Sequence, residues 1–257
     1  MKKNLLKQKL LKRQLTIGSW ITIGHPLIPE ILSPAGFDWL CVDMEHSSIE
    51  LNKLLSVIIS IENQNIVPLV RVGENNSNLI KRVMDSGSYG VIVPNVCNSE
   101  DAISAVNAVK YPPTGTRGVG LYRAQGYGRS FKNYLKWLKS ESVVIIQIEH
   151  IDAVENIDEI LSVPNIDGFI IGPYDLSSSM GKPGKFEDKD VKEAIRKVLE
   201  AGRKYKLSSG FHSVSSKYED LQKFIKQKFN FLAFSLDSIF LGDKAFEEMK
   251  KIMKKIK

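Results

Sequence analysis

The sequence predicts a (β/α)8 TIM barrel, an α/β fold carried by one domain over residues 1–257. Three observations lead there. Eight short, nearly continuous apolar runs recur along the chain, and strands of a parallel sheet buried under helices read that way. Helical patterns separate the runs, and a helical crossover makes successive strands parallel. The length of 257 residues also matches the roughly 250 typical of one such barrel.

In chain order, strands are expected near 15–24, 37–43, 67–72, 90–96, 143–149, 168–172, 207–212 and 231–236. Apolar residues at three- and four-residue spacing predict helices over Asn52–Glu62, Asn78–Ser86, Ser99–Val109, Ala153–Leu161, Asp190–Tyr205 and Tyr218–Lys226. Eight such units favour closure over an open doubly wound sheet. No Gly-rich turn follows the first strand, which counts further against a dinucleotide-binding sheet. Tyr111–Glu141 reads as one long connection containing Pro112-Pro113, five glycines, Arg117, Arg123 and Arg129. Connections of that length are usually lids, binding loops or subunit contacts. A basic helix is expected over 1–14 and a long amphipathic helix over 238–257. The apolar positions of the latter, Ile239, Phe240, Ala245, Phe246, Met249, Ile252, Met253 and Ile256, need a partner surface in the core or on another subunit.

Composition narrows the function classes. Hydrophobic residues make up 43% and charged residues 25%, as in ordinary globular proteins. No apolar run approaches the roughly 20 residues of a membrane span. Leu5–Leu15 is interrupted by Lys7, Lys9, Lys12 and Arg13, so no signal peptide is read. Two cysteines, Cys41 and Cys97, fit a reduced cytoplasm better than a disulfide framework. The net charge of +7 is terminal: residues 1–13 carry six Lys/Arg, and 244–257 carry six Lys against two Glu. The remainder holds 24 basic and 27 acidic residues, so solvated basic ends explain the surplus and nucleic acid is not an expected partner.

In a barrel all strand C-termini converge on one site, so polar residues far apart in sequence but each at a strand exit belong together. Glu149 and Asp175 follow strands five and six. Two carboxylates at neighbouring exits suit a hard divalent cation, whose octahedron waters and substrate complete. The Cys/His spacing of a structural zinc site is absent from the sequence. His46 follows strand two beside Asp43 and Glu45, and imidazole is the usual proton carrier near neutral pH. A carboxylate would fix its tautomer, with Asp43 and Asp85 as the two candidates. Arg71 ends strand three, where a guanidinium needs an anionic partner and could stabilise an enolate oxygen. Metal, base and arginine together describe proton abstraction or carbon–carbon cleavage next to a carbonyl.

Several stretches carry a resemblance. They are Ala35-Gly36-Phe37-Asp38-Trp39-Leu40, Asp43-Met44-Glu45-His46, Val70-Arg71, Val93-Pro94, Tyr111-Pro112-Pro113, Arg117-Gly118-Val119-Gly120, Gln147-Ile148-Glu149 and 167–177, the run from Asp167-Gly168 to Leu176-Ser177. With them the chain resembles, from about Thr16 to Asp237, the class II, metal-dependent pyruvate aldolases. That family includes 4-hydroxy-2-oxoheptanedioate aldolase and 2-dehydro-3-deoxyglucarate aldolase.

The resemblance implies a barrel of the phosphoenolpyruvate/pyruvate-binding type, assembled as a hexamer with the C-terminal helix exchanged between subunits. It implies Glu149 and Asp175 as ligands of Mg2+, Mn2+ or Co2+, and His46 as general base with Asp85 as its carboxylate. Arg71 would stabilise the enolate and Gln147 would contact substrate. Backbone amides around Tyr174 and Asp175 would bind the pyruvate carboxylate, with Gly172 and Asp43 beside them at the substrate. The expected reaction is reversible aldol cleavage of a 4-hydroxy-2-oxo acid to pyruvate and an aldehyde. Position 174 departs from the small residue often found there. Gly24-His25-Pro26, Leu121–Gly128 and Phe211-His212-Ser213 also depart from the heptanedioate pattern, which leaves the aldehyde open. For His25 and His212 a packing role and a substrate role both stand. The rivals are a lyase acting on a coenzyme A thioester and a non-catalytic barrel serving as a binding subunit.

Overall fold

The computed structural model describes residues 1–256, so Lys257, the last residue of the expected terminal helix, lies outside the described residues. Eight parallel strands close into a barrel in sequence order: β1 (Thr16–Ile21), β2 (Trp39–Asp43), β3 (Val67–Arg71), β4 (Gly90–Val93), β5 (Val143–Ile148), β6 (Gly168–Ile171), β7 (Ser208–Ser213) and β8 (Phe231–Leu236). Around them run α1 (Leu5–Leu11), α2 (Leu27–Leu32), α3 (Leu51–Asn63), α4 (Ser77–Asp85), α5 (Ser99–Val109) and α6 (Phe131–Glu141). The ring continues with α7 (Ile151–Glu155), α8 (Ile157–Ser162), α9 (Pro173–Ser179), α10 (Lys189–Lys204), α11 (Tyr218–Lys226) and α12 (Asp237–Ile256). Among the described residues no helix is long and apolar enough to cross a membrane.

The expected elements are present, and the differences have local causes. β1 stops at Ile21 because the next two backbone N–H groups, of Thr22 and Ile23, are taken by the Asp237 carboxylate at 2.8–3.0 Å. β4 stops at Val93 because Pro94 has no N–H to donate and Asn95 turns left-handed at φ 54°. The expected helix over Ala153–Leu161 is two helices, α7 and α8, parted at Asn156. The long connection is shorter than expected, because its last 11 residues form α6. Tyr134, Trp137 and Leu138 of α6 are buried at helical spacing, and Trp137 packs on Tyr89 and Tyr134.

The N-terminal basic segment is docked rather than solvated. Leu6 and Leu10 of α1 are buried, Lys7 pairs with Asp167 just before β6, and Lys9 pairs with Asp38 just before β2 at 2.5 Å. These partners precede strands, so α1 closes the N-terminal mouth of the barrel. The opposite mouth stays open for the site.

The barrel interior is filled by large side chains set against small ones. Trp39 stacks on Phe231 with centroids 4.4 Å apart and meets Trp20 edge-on. Trp39 lies across from Gly18 in the β1–β2 register, where an added Cβ would sit 2.0 Å from the indole. Gly18→Ala is therefore expected to lose at least about 1–3 kcal/mol, the usual cost of overpacking a core. Urea unfolding checks it; an unchanged midpoint would mean that Trp39 moves aside freely.

Candidate active site

A cavity of about 430 Å3 opens at the C-terminal mouth, lined by Trp20, Asp43, His46, Arg71, Gln147, Gly172, Tyr174, Asp175 and His212 among others. Seven of the eight strands, all but β4, contribute to it with their following loops. His46, Arg71, Gln147, Asp175, Tyr174, Gly172 and Asp43 are thus brought together. Glu149 stands beside them, joined through Gln147.

Asp43 and Arg71 are register partners on β2 and β3, both buried. The guanidinium grips the carboxylate with two bonds, Nε to Oδ1 at 2.9 Å and NH2 to Oδ2 at 2.6 Å. Burial works to raise the Asp43 carboxyl, but the Arg71 guanidinium outweighs it and holds the group below the ordinary aspartate range. Arg71 also reaches Glu45 at 3.2 Å and lies 4.5 Å over the Trp20 ring. Asp43 Oδ1 accepts the backbone N–H groups of Glu45 (3.0 Å) and His46 (3.2 Å). Asp43 therefore positions the backbone that carries His46, not the imidazole, as one of the two expectations had it.

The His46 ring projects into solvent at the cavity lip, 61% exposed. Its nearest carboxylate is Glu45, at 3.9 Å. Sequence reasoning passed over Glu45, whose Oε2 is buried without a hydrogen bond. Burial pushes its carboxyl up to about 7, with Glu149, Asp43 and Asp175 adding and Arg71 opposing.

Asp85 is not brought to His46 within one protomer. It ends α4, on the side of the barrel where strands begin, and accepts from Arg117 at 3.2 Å and Gln125 at 3.0 Å. Arg117 is itself buried, bonded to Tyr134, Tyr111 and the Val109 carbonyl. Arg123 pairs with Glu62 at the end of α3. The connection over 111–130 is thereby anchored at the far end of its own barrel and cannot be a lid on its own cavity.

Glu149 is 4% exposed and fixed by two donors, the Asn95 N–H at 2.8 Å and the Gln147 amide. Gly172 makes the space: a Cβ there would sit 2.9 Å from Glu149 Oε2. Burial raises the Glu149 carboxyl despite these donors, and the Asp175 charge adds to the rise. Asp175 is exposed in the first turn of α9. Among the described residues no three His, Cys, Asp or Glu gather into a metal cluster. The fit is instead to a hard cation held by two carboxylates, with waters and substrate as the other ligands. An all-oxygen donor set in which burial has raised one carboxyl suits that ion.

The departures from the family pattern fall differently. His25 is exposed and does not line the cavity; its Nδ1 accepts the Leu27 N–H at 3.2 Å, a local hydrogen bond at the start of α2. Tyr174 is 53% exposed and rests edge-on against Phe186. His212, at the end of β7, lines the cavity beside Trp20 with ring centroids 5.5 Å apart. Trp20 was not singled out in the sequence. An aromatic inside an apolar run gives no sign that it sits at the last inward position of a strand.

The sequence profile of the HpcH/HpaI aldolase/citrate lyase family matches residues 16–242. A 2-dehydro-3,6-dideoxy-6-sulfogluconate aldolase from Pseudomonas putida is 38% identical, covering 93% of both chains. A 2-keto-3-deoxy-L-rhamnonate aldolase from Klebsiella pneumoniae is 36% identical, over 92% of this chain and 88% of its own. Among solved structures, an HpcH/HpaI aldolase/citrate lyase family protein from Burkholderia cenocepacia superposes with a TM-score of 0.92 at 28% identity, covering 97% of this chain and 99% of that one. With that fold and that set of strand-end residues, the chain belongs to the HpcH/HpaI aldolase/citrate lyase family and is an aldol-cleaving lyase.

Proposed function

We propose that the substrate is a 4-hydroxy-2-oxo acid of the 2-keto-3-deoxy sugar acid type, cleaved reversibly to pyruvate and an aldehyde with a divalent metal. The observation that carries this reading is the convergence of the Asp43–Arg71 pair, His46, Gln147 and the two carboxylates Glu149 and Asp175 on one cavity. Relatives named as aldolases of deoxygenated sugar acids support it. The free thiols of Cys41 and Cys97 support a cytoplasmic setting.

In this reading the substrate carboxylate lies at the start of α9, against the N–H groups of Tyr174 and Asp175, which have no acceptor within the helix. Gln147 keeps Glu149 oriented and contacts the oxo acid. The proton of the 4-hydroxyl moves towards His46, the C3–C4 bond breaks, and its electron pair passes into the enolate of pyruvate. The aldehyde leaves, and C3 of the enolate is protonated. Arg71, already fixed by Asp43, offers its remaining charge to the enolate oxygen. A divalent cation held by Glu149 and Asp175 would supply Lewis acidity at the 2-oxo group. Among the described residues no lysine lines the cavity, so the side chains there support this chemistry rather than a Schiff base.

We also propose a homo-oligomer, a hexamer by family resemblance. Leu241, Phe246, Met249, Ile252, Met253 and Ile256 form an exposed apolar stripe on α12, a hazard on a monomer and a natural contact in a closed assembly. Because Asp85 lies at the far end of its own barrel, a His46–Asp85 pairing would have to form between copies. Light scattering at micromolar concentration should give a multiple of 28.9 kDa; a clean monomer would refute the assembly.

Release of pyruvate from a panel of 4-hydroxy-2-oxo acids tests the reaction. Chelation is expected to abolish it and Mg2+, Mn2+ or Co2+ to restore it, while Glu149→Ala and Asp175→Ala lose metal binding but stay folded. Full turnover in protein shown by elemental analysis to be metal-free would remove the metal from the reading. Turnover of coenzyme A thioesters alone, or of nothing, would favour the rivals.

Arg71→Lys keeps a charge but loses the planar fork that Asp43 grips. It is expected to lower kcat by about 10²–10³, the usual worth of one oxyanion donor. Near-normal cleavage by this variant would show that the enolate charge is met elsewhere.

A further inference from the structure

The barrel closes between β8 and β1, and that seam is irregular where the two strands end. Gly18 pairs with Ala233 and Trp20 with Leu236, so β1 uses two residues where β8 uses three. Ser235 falls at this bulge, wholly buried and turned left-handed at φ 51°, a conformation that strains a residue other than glycine. Its Oγ donates to the Val214 carbonyl at 3.0 Å, and its own carbonyl accepts from Ser19 Oγ at 3.3 Å. Asp237, the next residue past β8, is 5% exposed, and its carboxylate turns back to the end of β1. It accepts the Thr22 N–H on both oxygens at 3.0 Å, the Ile23 N–H at 2.8 Å and the Thr22 hydroxyl at 2.6 Å.

This is not the ordinary use of an aspartate at a helix start, which is to cap the N–H groups of its own first turn. From α12 the carboxylate accepts only the Ser238 N–H, at 2.8 Å; its other donors belong to the end of β1. Because β8 gives way to α12 at Asp237, no strand carbonyl runs beside Thr22 and Ile23. The side chain continues a ladder that the main chain has left. What it holds is a wall of the cavity, for Thr22 and Leu236 both line it, with Trp20 and Val214. In a ring of eight strands β1 lies opposite β5, so Thr22 stands across the mouth from Glu149. Bulges beside active sites commonly re-aim a side chain. Here the bulge brings Leu236, and the carboxylate brings Thr22, to the wall facing that metal-side carboxylate.

We propose that Asp237 is a positioning residue of the aldol reaction: acting through Thr22, it fixes the cavity wall opposite Glu149 and so places the part of the substrate that extends beyond the metal. The inference rests on the aldol reading above and adds to it a group that touches no reacting atom.

The test compares Asp237→Asn and Asp237→Ala with wild type on whichever 4-hydroxy-2-oxo acid of the panel is cleaved fastest. Asparagine keeps the shape but sets an NH2 group against the N–H groups of Thr22 and Ile23; alanine removes both oxygens. Asp237→Asn is expected to lower kcat/KM by about tenfold or more, since a small misplacement of bound substrate is that damaging, and Asp237→Ala to go further in the same sense. Two readouts confined to the metal side should not move: Mn2+ affinity by paramagnetic resonance, and inhibition of cleavage by pyruvate. Circular dichroism and light scattering should show fold and assembly kept; if Asp237→Ala does not fold, Asp237→Asn decides alone. Unchanged kcat/KM in Asp237→Asn would overturn the proposal. So would loss of Mn2+ and pyruvate binding in step with cleavage, or an Asp237→Asn that does not fold, either of which would make the carboxylate a purely structural group. Failure of wild-type enzyme to cleave any member of the panel would instead bring down the aldol reading and this inference with it.

Discussion

The ion pair between Asp43 and Arg71 is the contact on which the rest of the site depends. A guanidinium at 9% exposure survives only with a partner, and Asp43, one strand over in register, supplies both oxygens. The same carboxylate accepts the N–H groups of Glu45 and His46, so it orients the arginine and shapes the loop bearing His46. Trp20 closes over the guanidinium, and Arg71 in turn helps to keep His212 neutral. Removing one member of such a pair strands a buried charge, typically at about 3–5 kcal/mol. Its worth lies less in stability than in fixing three functional groups with one interaction.

The two mouths of the barrel divide the work. At the strand starts, α1 seals the barrel, and the buried Arg117 binds the 111–130 connection to α4 through Asp85. At the strand ends Asp43, Arg71 and Glu149 are held by two or more partners each, and the mouth is open. His46, on a loop past β2, projects into that mouth with its side chain 61% exposed.

The barrel was legible because parallel strands under helices leave a one-dimensional trace, apolar runs alternating with helical periodicity. Strand-end positions were legible for the same reason: Arg71, Gln147 and Glu149 interrupt apolar runs, and such interruptions are costly unless used. What the sequence hid is what depends on partners distant along the chain. The α6 helix was obscured because its buried face is built from Tyr134 and Trp137 amid lysines. Asp85 carried a resemblance but no address, and only the direction of α4 shows it at the wrong end of the barrel for His46. Trp20 and His212 were invisible as a pair because they lie on β1 and β7, which are brought together only through closure by β8.

Charge balance at the open mouth supplies the last constraint. Asp43, Glu45, Glu149 and Asp175 gather around a single guanidinium, and Asp43 consumes most of what Arg71 can neutralise. The strain shows in the carboxyls that remain: Glu45 rises to about 7 and Glu149 is raised as well, each for want of a compensating positive charge once burial has removed water. The substrate proposed here is itself an anion and would deepen the imbalance. A dication at Glu149 and Asp175 would reverse it, drawing the raised Glu45 and Glu149 carboxyls back down and offsetting the incoming carboxylate. On the proposed reading, the excess of acid at this mouth matches two charges that arrive together, one positive and one negative.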